Sequence, residues 1–228
     1  MTVMKQNRYV FRLKDPISSL SHFVGFAASL PAGLLLLVTG SARGCSLQTM
    51  GALAVFAASL SLLYAASAGY HAFFFDSWLD RLSKTIDHCS IFILIAGSYT
   101  PICISVLPRT VGIPLLIVIW SIAAAGILFK IAWVTCPKII SSIMYIGMGW
   151  ACISVIPLLV KGLGNGFFWL LAGGIFYTAG GVIYALKLPL FPHEESTGFG
   201  NHELFHLFVL AGSLCHYLLM LETITMIG

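Results

Sequence analysis

The sequence predicts an all-α membrane protein, a seven-transmembrane helix bundle with its N-terminus cytoplasmic and its C-terminus extracytoplasmic. Three observations carry that prediction. The 228-residue chain is 59% hydrophobic and 9% charged, with a mean hydropathy of +0.97, whereas a soluble domain carries about 25% charged residues to cover its surface. Seven apolar runs reach the roughly 20 residues a helix needs to cross the hydrocarbon core. They lie at 17–39, 50–75, 86–107, 111–130, 138–160, 166–186 and 203–227. Basic residues, finally, fall mainly on alternate loops, which sets orientation. Helices are required because open strands leave backbone groups unpaired in lipid, and the alternating ten-residue pattern of a barrel is missing.

Taken in order, the first span follows Lys5, Arg8, Arg12 and Lys14, and it is longer than the roughly 7–15 residues of a signal-peptide core, so it reads as a span. Loops 2–3, 4–5 and 6–7 add Arg81, Lys84, Lys130, Lys138 and Lys187, against only Arg43, Arg109 and Lys161 on the opposite side. Span 2 carries Ser67 and His71 in its last turns, and span 3 carries Asp87 and His88 in its first. Pro31, Pro114 and Pro157 lie within spans 1, 4 and 5 and are expected to kink them. Span 6 repeats Ala172-Gly173-Gly174 as Ala179-Gly180-Gly181, a smooth strip that lets another helix approach closely. The loop from Leu188 to Asn201 is the longest, and span 7 opens with His202, Glu203 and His206. Residues 1–228 are read as one domain, with residues 1–16 a short cytoplasmic segment.

Charges this few and dispersed make no phosphate-tracking surface, so nucleic acid is not an expected partner. The six cysteines contain no C-x-x-C pair and read as small apolar fillers.

An ionisable group inside a span costs a few kcal/mol and needs a partner or a function. With the orientation above, Ser67, His71, Asp87, His202, Glu203 and His206 all fall near the cytoplasmic face. His202 and His206 are four apart and share a helix face. With His71 they make the three neutral ligands a catalytic zinc takes, leaving a fourth position for water. His216 lies about 15 Å further along and is expected to be a packed core histidine. His88 points about 100° away from Asp87, and His22 and His193 are expected to be solvated or interfacial. His202-Glu-Leu-Phe-His206 also matches the H-E-x-x-H pattern of zinc proteases. The remaining donors sit on spans 2 and 3 rather than on a distal peptide-binding element, which disfavours an intramembrane protease. Glu203 is then a base, or a stabiliser of the positive end of span 7.

Ser67-Ala-Gly-Tyr-His71, Asp87-His88-Cys-Ser-Ile-Phe-Ile-Leu-Ile-Ala-Gly-Ser-Tyr-Thr-Pro101 and His202-Glu-Leu-Phe-His206 with Gly212, Ser213 and His216 resemble the hemolysin III family. That family groups with the progestin and adipoQ receptors, including the adiponectin receptors, and more distantly with alkaline ceramidases. The resemblance spans essentially the whole chain. It implies zinc bound by His71, His202 and His206, Asp87 beside the zinc-bound water, Ser67 as the motif serine, and a multi-pass cell-membrane location. The receptors carry a long cytoplasmic N-terminal domain, so about 16 residues before the first span suggest the short bacterial type.

The expected chemistry is zinc-dependent hydrolysis of a lipid amide or ester in membrane lipid homeostasis, with a fatty-acyl substrate entering from the inner leaflet. Zinc lowers the pKa of its water to about 7, Asp87 or Glu203 moves the proton, and Ser67 donates to the oxyanion. Two alternatives stand beside it: a structural zinc in a sensor or receptor-like protein without turnover, and a cytolytic, pore-related activity.

Overall fold

A computed structural model describes residues 13–191 and 197–227, all of whose regular structure is helical. The helices are α1 (Pro16–Ala42), α2 (Leu47–Ala72), α3 (Ser77–Ser105), α4 (Arg109–Ala132), α5 (Lys138–Gly149), α6 (Ile156–Leu163), α7 (Gly166–Leu186) and α8 (Asn201–Ile227). α5 and α6 are one membrane span joined by a 3-10 segment, Trp150–Val155, so seven spans result, each long and apolar enough to cross a bilayer. Their lipid-facing sides keep large apolar side chains exposed, such as Leu34, Leu128 and Phe168. That is the inverse of a soluble bundle, and it makes the chain a multi-pass membrane protein. Lys5, Arg8, Arg12 and His193 lie outside the described residues.

The spans alternate in direction, so the start of α1, the end of α2 and the starts of α3, α5 and α8 share one end of the bundle. α1 packs between α2 and α8, α2 against α3, α3 against α4, α5 against α7, and α7 against α8, while α3 also touches α5 and α8. α1 fits into its groove because Gly25 lies against the Tyr64 ring and Leu210; a Cβ there would come within 2.8 Å of both. On the far side Phe92 of α3 lies against Gly126 of α4, in a cluster with Ala96, Ile119, Ala123 and Met148.

Three boundaries differ from the sequence expectation. α3 begins at Ser77, well before the apolar run, because Asp76 caps it by accepting from Leu79 N–H at 3.0 Å. Asp87 and His88 therefore sit nearly three turns inside the helix, not in its first turn. α2 ends at Ala72, with Phe73 already extended. The fifth span breaks ahead of Pro157, the second residue of α6. The loosened backbone at the break is satisfied by one side chain: Tyr99 Oη donates to the Gly149 carbonyl at 2.7 Å and accepts from Cys152 N–H at 2.9 Å. α1 continues through Pro31 and α3 through Pro101.

Between α3 and α4 the chain turns tightly, and a Cβ on Gly112 would collide with the backbone carbonyl of Cys103. Backbone cannot rotate away as a side chain can. Gly112→Ala is therefore expected to destabilise the bundle by about 1–3 kcal/mol, read as earlier thermal unfolding in detergent.

Candidate metal centre

His71 stands in the last turn of α2, and His202 and His206 in the first two turns of α8. Since α1 holds both helices, these ends meet. One ring nitrogen from each of the three histidines lies within 4.8 Å of the others, and His71 Nε2 is 3.2 Å from His202 Nε2. Two ligands on a tetrahedral ion with bonds of 2.0–2.1 Å are separated by about 3.3 Å, so the observed spacing fits a bound metal.

The outer nitrogens decide which lone pairs are free. His71 Nδ1 lies 2.8 Å from Asp15 Oδ2, and His206 Nδ1 lies 3.3 Å from the Ser18 carbonyl. Both partners accept, so both Nδ1 atoms are the donors. Nε2 of each ring then carries a bare lone pair facing the centre, the protonation state a metal ligand requires. His202 Nδ1 is buried with no hydrogen-bond partner among the described residues.

Asp15 was not singled out in the sequence. It occupies the N-cap position of α1 yet makes no side-chain cap, because its carboxylate is turned toward His71. The segment before α1 is fastened to α2 by Lys14 N–H to the Ala72 carbonyl at 3.2 Å and Asp15 N–H to the His71 carbonyl at 2.9 Å. Lys14 pairs with Asp80 at 2.6 Å and lies over the Tyr70 ring. Burial draws the Lys14 pKa down, but the Asp80 hydrogen bond and the charges of its neighbours outweigh that and hold it above its ordinary value.

Glu203 lies on the same turn as the ligands but faces away from the centre. Its Oε2 accepts from Gly200 N–H at 2.9 Å, which caps α8, and its Oε1 accepts from Ser18 Oγ at 2.7 Å. Asp87 and Ser67 instead line a cavity of about 710 Å³, together with His202, His206 and His88. The cavity runs along α8 from His202 to Leu219, about 26 Å at 1.5 Å per residue, between mostly apolar walls.

His22 is buried rather than solvated or interfacial, with its ring stacked on His206 at 3.7 Å between centroids. Its burial was not legible in the sequence because its partner is 184 positions away. His88 also lines the cavity despite its offset from Asp87. His216 is packed against Gly173 and Tyr177, and neither ring nitrogen has a partner among the described residues. All six cysteines are free.

Seven apolar spans, with three converging imidazoles at one end of an internal cavity, define a membrane protein equipped to hold a metal ion. Residues 11–217 match the family model described as haemolysin-III related, and the chain belongs to that family. It is 36% identical to Hemolysin-3 of Bacillus cereus over 92% of this chain and 91% of that one. It is 34% identical to the Hemolysin-3 homolog of Bacillus subtilis, over 93% and 95% respectively. The adiponectin receptor protein of Drosophila melanogaster is similar at 23% identity, over 61% of this chain and 34% of that protein.

Proposed function

We propose that this chain is a zinc-dependent hydrolase of amide or ester bonds in acyl lipids, acting in membrane lipid homeostasis. The observation that carries the reading is the convergence of three imidazoles, two of which, His202 and His206, line one long apolar cavity together with the carboxylate of Asp87. An acyl chain fits along such walls, with its carbonyl carbon at the polar end. The excess of basic residues at the ends nearest the site favours a cytoplasmic position for that end.

His71, His202 and His206 would hold the ion, and zinc suits three neutral imidazoles. When bound, it supplies Lewis-acid polarisation of the carbonyl and an acidified water. Asp87 takes a proton from the attacking water and returns it to the leaving nitrogen or oxygen. Ser67 donates a hydrogen bond to the oxygen that gains charge. Asp15 and the Ser18 carbonyl orient two of the imidazoles. Glu203, with both oxygens engaged, positions the start of α8 rather than moving a proton.

Asp87→Asn tests the reading because it keeps shape and hydrogen bonding but removes the base. Release of fatty acid from an N-acyl lipid is expected to fall by roughly 10²–10⁴-fold with metal content unchanged. Unchanged turnover would overturn the assignment.

A second reading has its own support. The three ligands join α2 to α8, and Asp15 and Ser18 tie both to α1, so a bound ion would staple three helices in a sensor or receptor-like protein without turnover. It expects a fall in melting temperature on metal removal and no product from any lipid. The name of the Bacillus relatives, Hemolysin-3, adds a cytolytic reading, which expects liposome leakage that persists after all three histidines are replaced.

A further inference from the structure

Lys130 stands near the end of α4, where a lysine would ordinarily reach for water, yet it is 0% exposed. Its ammonium donates to Ser141 Oγ at 2.5 Å and to Cys136 Sγ at 3.2 Å. No carboxylate among the described residues pairs with it. A cation removed from water costs several kcal/mol unless a counter-charge accompanies it, and a hydroxyl and a thiol are both neutral.

The surroundings deepen the imbalance. Cys136 and Ser141 both line the cavity, so the ammonium lies one atom behind its wall. Lys84 and Lys187 line the same cavity, and neither is ion-paired among the described residues. Nearby acids are engaged elsewhere: Asp80 by Lys14, Asp15 by His71, and Glu203 by Ser18 and Gly200. Asp87 is the acid that remains among the described lining residues. The general bias toward basic loops on the inner face accounts for lysines at the rim, but not for one that is fully buried.

The hydrogen bonding gives this charge a direction. Ser141 Oγ accepts from the Lys130 ammonium and lies 3.2 Å from Cys136 Sγ, where either atom can donate; with the thiol as donor the serine proton is left for a guest group, and the ammonium strengthens that donation. Ser141 faces the cavity, so the matching guest group there is an acceptor, and the nearby positive charge makes it an anionic one.

We infer that the cavity takes amphiphiles whose head group is an anion, a carboxylate or a phosphate. The anion sits against Ser141 and Cys136 with Lys130 behind them and Lys84 and Lys187 at the rim. The acyl chain lies along the apolar wall. This rests on the acyl-lipid hydrolase reading above and names the substrate class of the same site: the scissile amide or ester joins the chain to a negatively charged leaving group.

The test uses the purified full chain in neutral detergent and three probes with the same palmitoyl chain: N-palmitoylethanolamine, N-palmitoylglycine and N-palmitoylethanolamine phosphate. Dissociation constants come from displacement of a fluorescent acyl probe, and cleavage from release of palmitate. At least one anionic probe is expected to bind at least tenfold more tightly than the neutral one. A preference confined to the glycine conjugate points to acyl amino acids, and one confined to the phosphate points to phospholipid-type heads. Lys130→Met is expected to bring the anionic-to-neutral ratio to within twofold, with Lys130→Arg restoring most of it. If the Met variant does not fold, Ser141→Ala is expected to reduce the ratio at least threefold. Equal binding of neutral and anionic probes, or a ratio untouched by Lys130→Met or, in its place, Ser141→Ala, overturns the inference. Equal cleavage of all three overturns it while leaving the hydrolase reading standing, and failure of every probe to bind overturns both.

Discussion

Replacing His202 with alanine is expected to abolish stable metal binding and to lower the melting temperature to that of chelator-treated wild type. Each of the three imidazoles contributes roughly a third of the coordination, and structural zinc sites gain about 10–16 kcal/mol from the ion. Loss of one ligand therefore removes about 4 kcal/mol, or about three orders of magnitude in affinity. His71 and His202 present Nε2 atoms to each other at 3.2 Å, so neither can be lost without opening the centre. The measurement is metal content by elemental analysis alongside thermal unfolding with and without chelator. A variant that still responds to chelator, or wild type that never retains zinc, would defeat the assignment.

Asp15→Ala carries the next largest effect on metal affinity. The carboxylate holds the His71 proton on Nδ1 from 2.8 Å, with side chains 42% and 5% exposed respectively. Without it the ring is free to rotate and to place its proton on Nε2, where it blocks coordination. Removing such an orienting partner lowers metal affinity by roughly 10–100-fold. Asp15→Asn, whose amide oxygen still accepts, is expected to lose less than Asp15→Ala. Competition with a metallochromic chelator ranks the three proteins; equal affinities for all of them would remove Asp15 from the centre.

The two effects differ in how far they could be read in advance. His71, His202 and His206 announce themselves as ionisable residues in apolar runs, and their spacing places two of them on one face. Asp15 gives no such signal. It precedes Pro16 at the start of a span, where an acid is ordinarily a helix cap, and only the missing cap bond marks it as engaged elsewhere. Lys130 was equally opaque, because at the end of a span a basic residue reads as an orientation signal. Its burial against Ser141 depends on how α4 and α5 fold together.

The long start of α3 shows the same division. An apolar run marks the part of a helix that lipid requires to be apolar, and it says nothing about the turns that project beyond the hydrocarbon. Asp80, Arg81 and Lys84 are polar and helical at once, and the helix they extend carries Asp80 to Lys14.

By itself the sequence determined the seven helices, their alternation and the three histidines, because lipid imposes length and apolarity residue by residue along the chain. The tertiary structure alone decided that His71 meets His202, that Asp15 and Ser18 orient the rings, that Glu203 turns away, and that Lys130 is buried behind a cavity wall. Those outcomes depend on distances between residues from 11 to 188 positions apart. They are set by helix packing, which no local pattern in the chain records.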